Sequence, residues 1–288
     1  MKICATIDGM RAARRSLAGQ ESGKLLGLIP TMGALHEGHL SLVRAAKARC
    51  EAVAATLFVN PLQFGPDEDL AKYPRDFDRD CELLEAEGTD LLFVPTVEEM
   101  YPSGAVTYVT VEKLSDKLCG RSRPGHFRGV TTVVSKLFNI VEPDVAFFGQ
   151  KDAAQVTIIR RMARDLNIPV QIVSCPIVRE ADGLAMSSRN GYLNADQKKS
   201  ALVLYRSLME VQRCYERGER SVSRLIQSGV KVFETEPAVK LDYFEIVNPE
   251  TLEPVDDWSH GGLVAVAGLV GKARLIDNIQ LGYVNARA

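Results

Sequence analysis

The chain has 288 residues, of which 46% are hydrophobic, and a formal net charge of −2. That is enough for one large domain or two of ordinary size, and it leaves no basic footprint for a nucleic-acid backbone. Six scattered cysteines, at 4, 50, 81, 119, 175 and 214, form no Cys-x-x-Cys pair, which argues against a disulfide framework and a zinc ribbon alike. With no signal-peptide-like start and no apolar run long enough to span a bilayer, the expectation is a cytoplasmic protein.

Apolar, β-branched runs alternate with helical patterns along the first part of the chain. The order is strand Leu25–Ile29, helix Leu40–Arg49, strand Ala52–Val59, helix Phe77–Glu87, strand Asp90–Val94 and a short strand Val106–Val111. Helix Val130–Val141, strand Val145–Phe148, helix Ala153–Leu166 and strand Val170–Ser174 follow. Such alternation implies an α/β fold, a parallel sheet with helices on both faces and ligand-binding loops at one sheet edge. The pattern changes after about Pro176. Asn194 reads as the N-cap of a helix from Ala195 to about Arg217. A helix Val222–Phe233 and three alternating strands, Leu241–Val247, Gly262–Leu269 and Ala273–Gln280, then suggest a smaller α+β C-terminal domain. The expected division is 1–176 and 177–288.

Polar motifs interrupt the apolar pattern where strands end. Pro30-Thr31-Met32-Gly33-Ala34-Leu35-His36-Glu37-Gly38-His39 holds two of the four histidines, between a strand and a helix. Exposed N–H groups and the helix dipole make that place attractive to phosphate, and imidazole donates to the same anion. A zinc-protease motif would need three residues between the histidines, and no Cys or further His lies nearby to finish a metal site. Asn60-Pro61-Leu62-Gln63-Phe64-Gly65 offers neutral donors and acceptors suited to hydroxyls or a carboxylate, or else Asn60 merely satisfies turn backbone. After Phe148, Gly149-Gln150-Lys151-Asp152 combines a close backbone approach with a fixed positive charge. Asp152 is a candidate helix cap, and Gln155 shares its helix face. Met186-Ser187-Ser188-Arg189 places two hydroxyls beside a guanidinium that can hold phosphate oxygens, although an ordinary Ser/Asn-rich linker has the same composition. Gly19–Lys24 falls one residue short of a P-loop, lacks its final Ser/Thr and precedes its strand, and no Gly-x-Gly-x-x-Gly occurs.

Taken together, in this order and spacing, these motifs resemble the pantothenate synthetase (pantoate–β-alanine ligase) family of the nucleotidylyltransferase superfamily. Tyr101-Pro102, Arg123-Pro124-Gly125-His126-Phe127 and Asp242-Tyr243 extend the likeness over nearly the whole chain. In that frame His36–His39 is the His-x-Gly-His signature, and Met186–Arg189 stands in for the Lys-Met-Ser-Lys-Ser loop. The resemblance implies a Rossmann-like domain over 1–176 that binds ATP and pantoate, with 177–288 acting as a lid. It implies an ATP-dependent ligase that joins (R)-pantoate to β-alanine through pantoyl adenylate, with Mg²⁺, as a homodimer.

By motif position, the resemblance makes His39, His36 and Lys151 catalytic. Met32, Gly33, Ala34, Leu35, His36, Glu37, Gly38 and His39 would line the ATP phosphates. Gly149, Gln150, Lys151 and Asp152 would hold ribose and phosphates, Val178 and Met186 adenine, and Ser187, Ser188 and Arg189 the β- and γ-phosphates. Gln63 and Gln155 would bind pantoate, with Gln63 also near β-alanine. The family often has Glu in place of Gln150 and Gln in place of Ala154. The Mg²⁺ ligands are not assigned: Asp76, Asp78 and Asp80 are candidates, with a solvated helix face as the alternative. A phosphopantetheine- or nicotinamide-mononucleotide-type adenylyltransferase would share the His-x-Gly-His loop but lack the Asn60–Gln63 and Gln155 pair, and a nucleotide sensor would show no turnover.

Overall fold

A computed structural model describes residues 1–18, 24–66, 68–255 and 257–282. Residues 19–23 of the Gly19–Lys24 run lie outside the described residues. In chain order the elements are β1 (Lys2–Cys4), α1 (Ile7–Ala18), β2 (Leu26–Thr31), α2 (Glu37–Lys47), β3 (Ala52–Leu57), α3 (Phe77–Ala86), β4 (Leu91–Phe93), α4 (Val97–Met100), α5 (Cys119–Ser122), α6 (His126–Val141), β5 (Val145–Gly149), α7 (Ala153–Asp165), β6 (Gln171–Cys175), α8 (Ala195–Glu216), α9 (Val222–Phe233), β7 (Val239–Val247), β8 (Gly262–Val270) and β9 (Ala273–Leu281). Packing divides them into two units. One comprises 1–116, 123–149 and 158–175; the other comprises 117–122, 150–157 and the chain from Pro176 on.

In the first unit six parallel strands form one sheet in the order β1-β4-β3-β2-β5-β6. The central strands are buried on both faces, which is why they read as continuous apolar runs and not as alternating ones. The order runs outward from β2 in both directions, so the C-terminal ends of β2 and β5 flank a topological switch point, where open α/β sheets bind ligands. Pro30 is tolerated inside β2. It pairs with Thr56 on β3, whereas β5 pairs only with Gly27 and Leu28, so the ladder on that side has already ended.

The second unit holds the antiparallel sheet β7-β8-β9. Leu204, Leu208 and Val211 of α8 and Leu225 of α9 form a buried core with Phe244, Val264 and Val266 of that sheet. Asn194 and Gln197 make a reciprocal capping box at the start of α8. The fold is therefore the expected parallel α/β sheet with helices, followed by a smaller α+β part.

The structure departs from the sequence reading in several places. β1, α1, α4 and α5 were not expected. Val106–Val111 is not a strand: the Val109 N–H donates to Thr132 Oγ1, and the Val109 carbonyl accepts from Thr131 Oγ1, so at Val109 the backbone is satisfied by α6 side chains. α2 begins at Glu37, earlier than Leu40, because a histidine caps it. α6 begins at His126, after Gly125 takes φ 82°. No helix among the described residues is long and apolar enough to cross a membrane.

Candidate active site

The loop from β2 to α2 is held by hydrogen bonds to its backbone. Thr31 Oγ1 accepts from the Gly33 N–H at 3.2 Å. Gly33 and Ala34 both adopt left-handed backbone, φ 84° and 52°, and Ala34 bears a steric cost there that glycine avoids. Asp80 of α3 is 2% exposed, and its two carboxylate oxygens accept from the Ala34 and Leu35 N–H groups, each at 2.8 Å. A Cβ on Gly33 would come 2.9 Å from Asp80 Oδ2, so glycine is what lets the carboxylate approach. Burial pushes the Asp80 carboxyl up from its ordinary value, against the opposing pull of the two N–H donors. The candidate reading of Asp80 as part of a solvated acidic face is corrected: its oxygens anchor the histidine loop. Asp76 instead caps α3 by accepting from the Arg79 N–H.

The two imidazoles form the N-terminus of α2. His36 Nδ1 accepts from the Gly38 N–H at 3.1 Å, and His39 Nδ1 accepts from the His36 N–H at 3.4 Å. This is a capping box built from histidines, with ring centroids 4.1 Å apart. Because each Nδ1 accepts, the neutral ring carries its hydrogen on Nε2. The motif thus presents two N–H-bearing nitrogens at a positive helix end. The Glu37 carboxylate pairs with the Arg44 guanidinium, so its own contribution at that end is backbone.

Beyond β3, a short 3₁₀ turn over Pro61–Gln63 is capped by Asn60, whose Oδ1 accepts from the Leu62 N–H. Asn60 is buried and does more than satisfy that turn. Its Nδ2 donates to Gln63 Oε1 at 3.0 Å and to the Gly129 carbonyl at 3.1 Å, and its Oδ1 also accepts from the Tyr101 hydroxyl at 2.8 Å. Gln63 Nε2 in turn lies 3.0 Å from Met32 Sδ. The turn can sit on α6 only because residue 129 is glycine: a Cβ there would meet the Leu62 carbonyl oxygen at 2.2 Å.

The Gln63 backbone is fixed as well. His126 Nδ1 donates to the Gln63 carbonyl at 2.8 Å, and Arg123 Nη2 donates to the same oxygen at 3.2 Å. Arg123 Nη1 donates to His126 Nε2, which fixes the opposite tautomer from that of the loop histidines. Arg123 also forks onto Glu68. Burial alone would raise the Glu68 carboxyl, but the Arg123 hydrogen bonds and charge, with the His126 charge and the Gly65 backbone, together outweigh it and hold Glu68 below the ordinary glutamate range.

Gly149 ends β5 in the first unit, and the remaining candidates belong to the second. Gln150–Asp152 forms a 3₁₀ turn that runs directly into α7, with Lys151 Nζ 3.8 Å from Asp152. Gln155 is half-buried on the first turn of α7, and Ala154 beside it is buried. Val178–Met186 is a tight hairpin closed by the Met186 N–H to the Val178 carbonyl at 3.0 Å and by a bridge between Arg179 and Ala185. Ser187 caps the following 3₁₀ turn, Ser188–Tyr192, by accepting from the Arg189 N–H. Lys151, Ala185 and Ser187 line one small cleft with Asp277 and Asn190.

Within each unit, then, candidates meet: Met32 of the histidine loop with Gln63 in the first, and Lys151 with Ser187 around one cleft in the second. Sequence reasoning missed Asp80 as an anchor, Tyr101 as the partner of Asn60, and the β9 residues behind Lys151. Among the described residues no group of three or more His, Cys, Asp and Glu could hold a metal ion.

Known proteins resemble this arrangement throughout its length. The family model described as pantoate-beta-alanine ligase matches residues 2–280. A pantothenate synthetase from Acidobacterium capsulatum is 57% identical, over 99% of both chains. The crystal structure of pantothenate synthetase from Thermus thermophilus superposes with a TM-score of 0.92 at 47% identity, covering 99% of this chain and 100% of that one. A pantoate-beta-alanine ligase from Francisella tularensis, complexed with beta-gamma ATP and beta-alanine, has a TM-score of 0.80 at 32% identity, covering 98% of each chain. On the strength of this full-length match, the chain belongs to the pantoate–β-alanine ligase family.

Proposed function

We propose that this ligase joins pantoate to β-alanine in two steps. In the first, a pantoate carboxylate oxygen attacks the α-phosphorus of ATP and pyrophosphate leaves. In the second, the β-alanine amine attacks the acyl carbon of pantoyl adenylate and AMP leaves. No covalent bond to the protein is needed, so catalysis is positioning and charge stabilisation.

The observation that carries the reading is the histidine capping box. It commits both Nδ1 atoms to the backbone, so Nε2–H is the donor each ring presents to a developing phosphate charge at a helix N-terminus. In this reading Met32–His39 lines the phosphates through backbone N–H groups and the two rings. Gly149–Asp152 holds ribose and phosphate, with Lys151 supplying the fixed charge. Val178 and Met186 flank adenine, and Ser187, Ser188 and Arg189 grip the β- and γ-phosphates. Gln63, held at both ends of its side-chain amide and at its carbonyl, and Gln155 select pantoate, with Gln63 also serving β-alanine. ATP and beta-alanine bound to the Francisella tularensis ligase support this choice of ligands.

Mg²⁺ enters with the triphosphate in this proposal. The Asp76 and Asp80 carboxylates are engaged by backbone N–H groups, and a small hard cation of this kind is commonly held by substrate phosphates and few protein ligands. The metal would neutralise phosphate charge. A lid role for 177–288 and a homodimer belong to the same proposal; light scattering of the purified protein tests the latter.

Pantoate-dependent exchange of pyrophosphate into ATP tests the mechanism. Exchange in the absence of β-alanine is the expected result. Exchange that requires β-alanine would overturn the adenylate route in favour of a concerted one.

A further inference from the structure

Two residues at the centre of β9 contact both nucleotide-gripping segments of the second unit. Asn278 is 3% exposed. Its Nδ2 donates to the carbonyls of Gln150 and Lys151 at 3.0 and 2.9 Å, and its Oδ1 accepts from Gln150 Nε2 at 3.1 Å. One amide therefore fixes the backbone on both sides of the Lys151 Cα. It also uses the donor that Gln150 possesses and that a glutamate in its place would lack.

Asp277, also 3% exposed, faces the other segment. Its carboxylate accepts two hydrogen bonds from the Arg179 guanidinium, at 2.6 and 3.0 Å. Arg179 lies in the Val178–Met186 hairpin, donates to the Gly183 carbonyl at 3.0 Å and stacks 4.3 Å from the centre of the Tyr205 ring. The Asn278 N–H closes the arrangement by donating to Asp277 Oδ1 at 2.8 Å. Adjacent residues of one strand thus hold the lysine turn and the hairpin that leads into Ser187–Arg189. Asp277 lines the same small cleft as Lys151 and Ser187; burial pushes its carboxyl up from the ordinary value, against the opposing pull of Arg179, the Asn278 N–H and the Lys151 charge.

Buried polar groups so fully satisfied rigidify what they touch. The Lys151 turn and the hairpin belong to no common sheet; β9 supplies their shared reference.

We propose that Asp277 and Asn278 are positioning residues that set Lys151 and the Met186–Arg189 loop in one register for the triphosphate. This rests on the assignment of Lys151 to ATP, and the test separates the two claims.

The measurement is equilibrium binding of a non-hydrolysable ATP analogue to the full chain, with Tm recorded for each variant. Lys151→Ala, Asn278→Ala and the double variant form a cycle. Lys151→Ala should weaken binding, Asn278→Ala should weaken it about tenfold, and the double variant should bind no worse than Lys151→Ala alone. The KM for pantoate should stay within about twofold in Asn278→Ala, inside the scatter expected of independent sites. A merely structural asparagine would lower Tm and the active fraction without a nucleotide-selective shift.

If Asn278→Ala does not fold, Asn278→Asp keeps the shape and replaces the donor with a carboxylate facing two carbonyls; it should show the same selective loss. Asp277→Asn should shift ATP without shifting pantoate. If Lys151→Ala binds the analogue as wild type does, the ATP assignment of Lys151 falls and the proposal falls with it. If Lys151→Ala weakens binding but the Asn278 effect is absent, or simply adds to it, the ATP assignment stands and the positioning role is wrong.

Discussion

Replacing Asp80 tests whether the histidine loop is held in place from α3. Asp80→Ala removes the acceptors of two N–H groups, those of Ala34 and Leu35. A stranded buried donor costs about 1–3 kcal/mol, so two cost about 2–6 kcal/mol before relaxation. Partial rehydration of the loop brings a realistic local penalty to about 2–4 kcal/mol. At about 1.4 kcal/mol per tenfold, the population of the competent loop falls about 30- to 700-fold. Asp80→Asn keeps one acceptor and turns an NH₂ toward the other donor, so its effect should be similar or slightly smaller. Ala34→Gly, added to Asp80→Ala, removes a left-handed cost of about 1–2 kcal/mol and adds a glycine entropy cost of about 0.5–1 kcal/mol. The net recovery should be about two- to fivefold. The assay is pantoate-dependent pyrophosphate exchange, resolved into kcat and the KM for ATP, with Tm measured in parallel. Exchange by Asp80→Ala within about threefold of wild type, far short of the loss worked out above, would mean that the carboxylate does not anchor the loop, whatever its geometry.

Further outcomes follow from the same contacts. His39→Ala should lower exchange about 10²–10³-fold while ATP binding changes far less, because one oriented donor to a developing charge is lost; a change of only about threefold would remove that role. Gln155→Ala should raise the KM for pantoate and leave that for ATP nearly unchanged, and Gly129→Ala should impair pantoate use by displacing the Leu62–Gln63 backbone. Arg189→Lys keeps the charge but loses the planar fork, so it should slow adenylate formation and spare the reaction of β-alanine with pre-formed pantoyl adenylate; single-turnover rates of the two steps decide it. Glu68 titrates below its ordinary range in the folded state, so the stability it contributes is complete above the unfolded value, roughly pH 4.3, and is lost as pH falls through the lower folded value. The Tm of Glu68→Gln should therefore lie below that of wild type near neutral pH, with the difference shrinking as pH falls below the unfolded value.

What the sequence made legible depended on how far apart the cooperating residues stand. The sheet was legible because each buried parallel strand is a continuous apolar run, and α8 because Asn194 and Gln197 cap it within one turn. The histidine loop was legible for the same reason: His36, Gly38 and His39 complete their capping box locally. β1 escaped because three residues with two exposed carry no periodicity. Val106–Val111 misled because β-branched composition reports a preference for extended backbone, and here that backbone finds helix threonines in place of a strand.

The anchors were invisible on different grounds. Asp80 stands 46 residues from Ala34, and Asn278 stands 128 from Gln150. A carboxylate that alternates with other acids at a helix start has the same local signature whether it meets water or two backbone donors. An asparagine in a strand likewise carries no mark of the carbonyls it will hold. In both cases the residues that would touch substrate announce themselves through the turn they make, while those that fix them in place are chosen by tertiary approach. Gly33 and Gly129 are the partial exception: each is a position where a side chain would collide with the partner the turn requires, so a glycine beside a polar motif is the one local sign that something distant comes close.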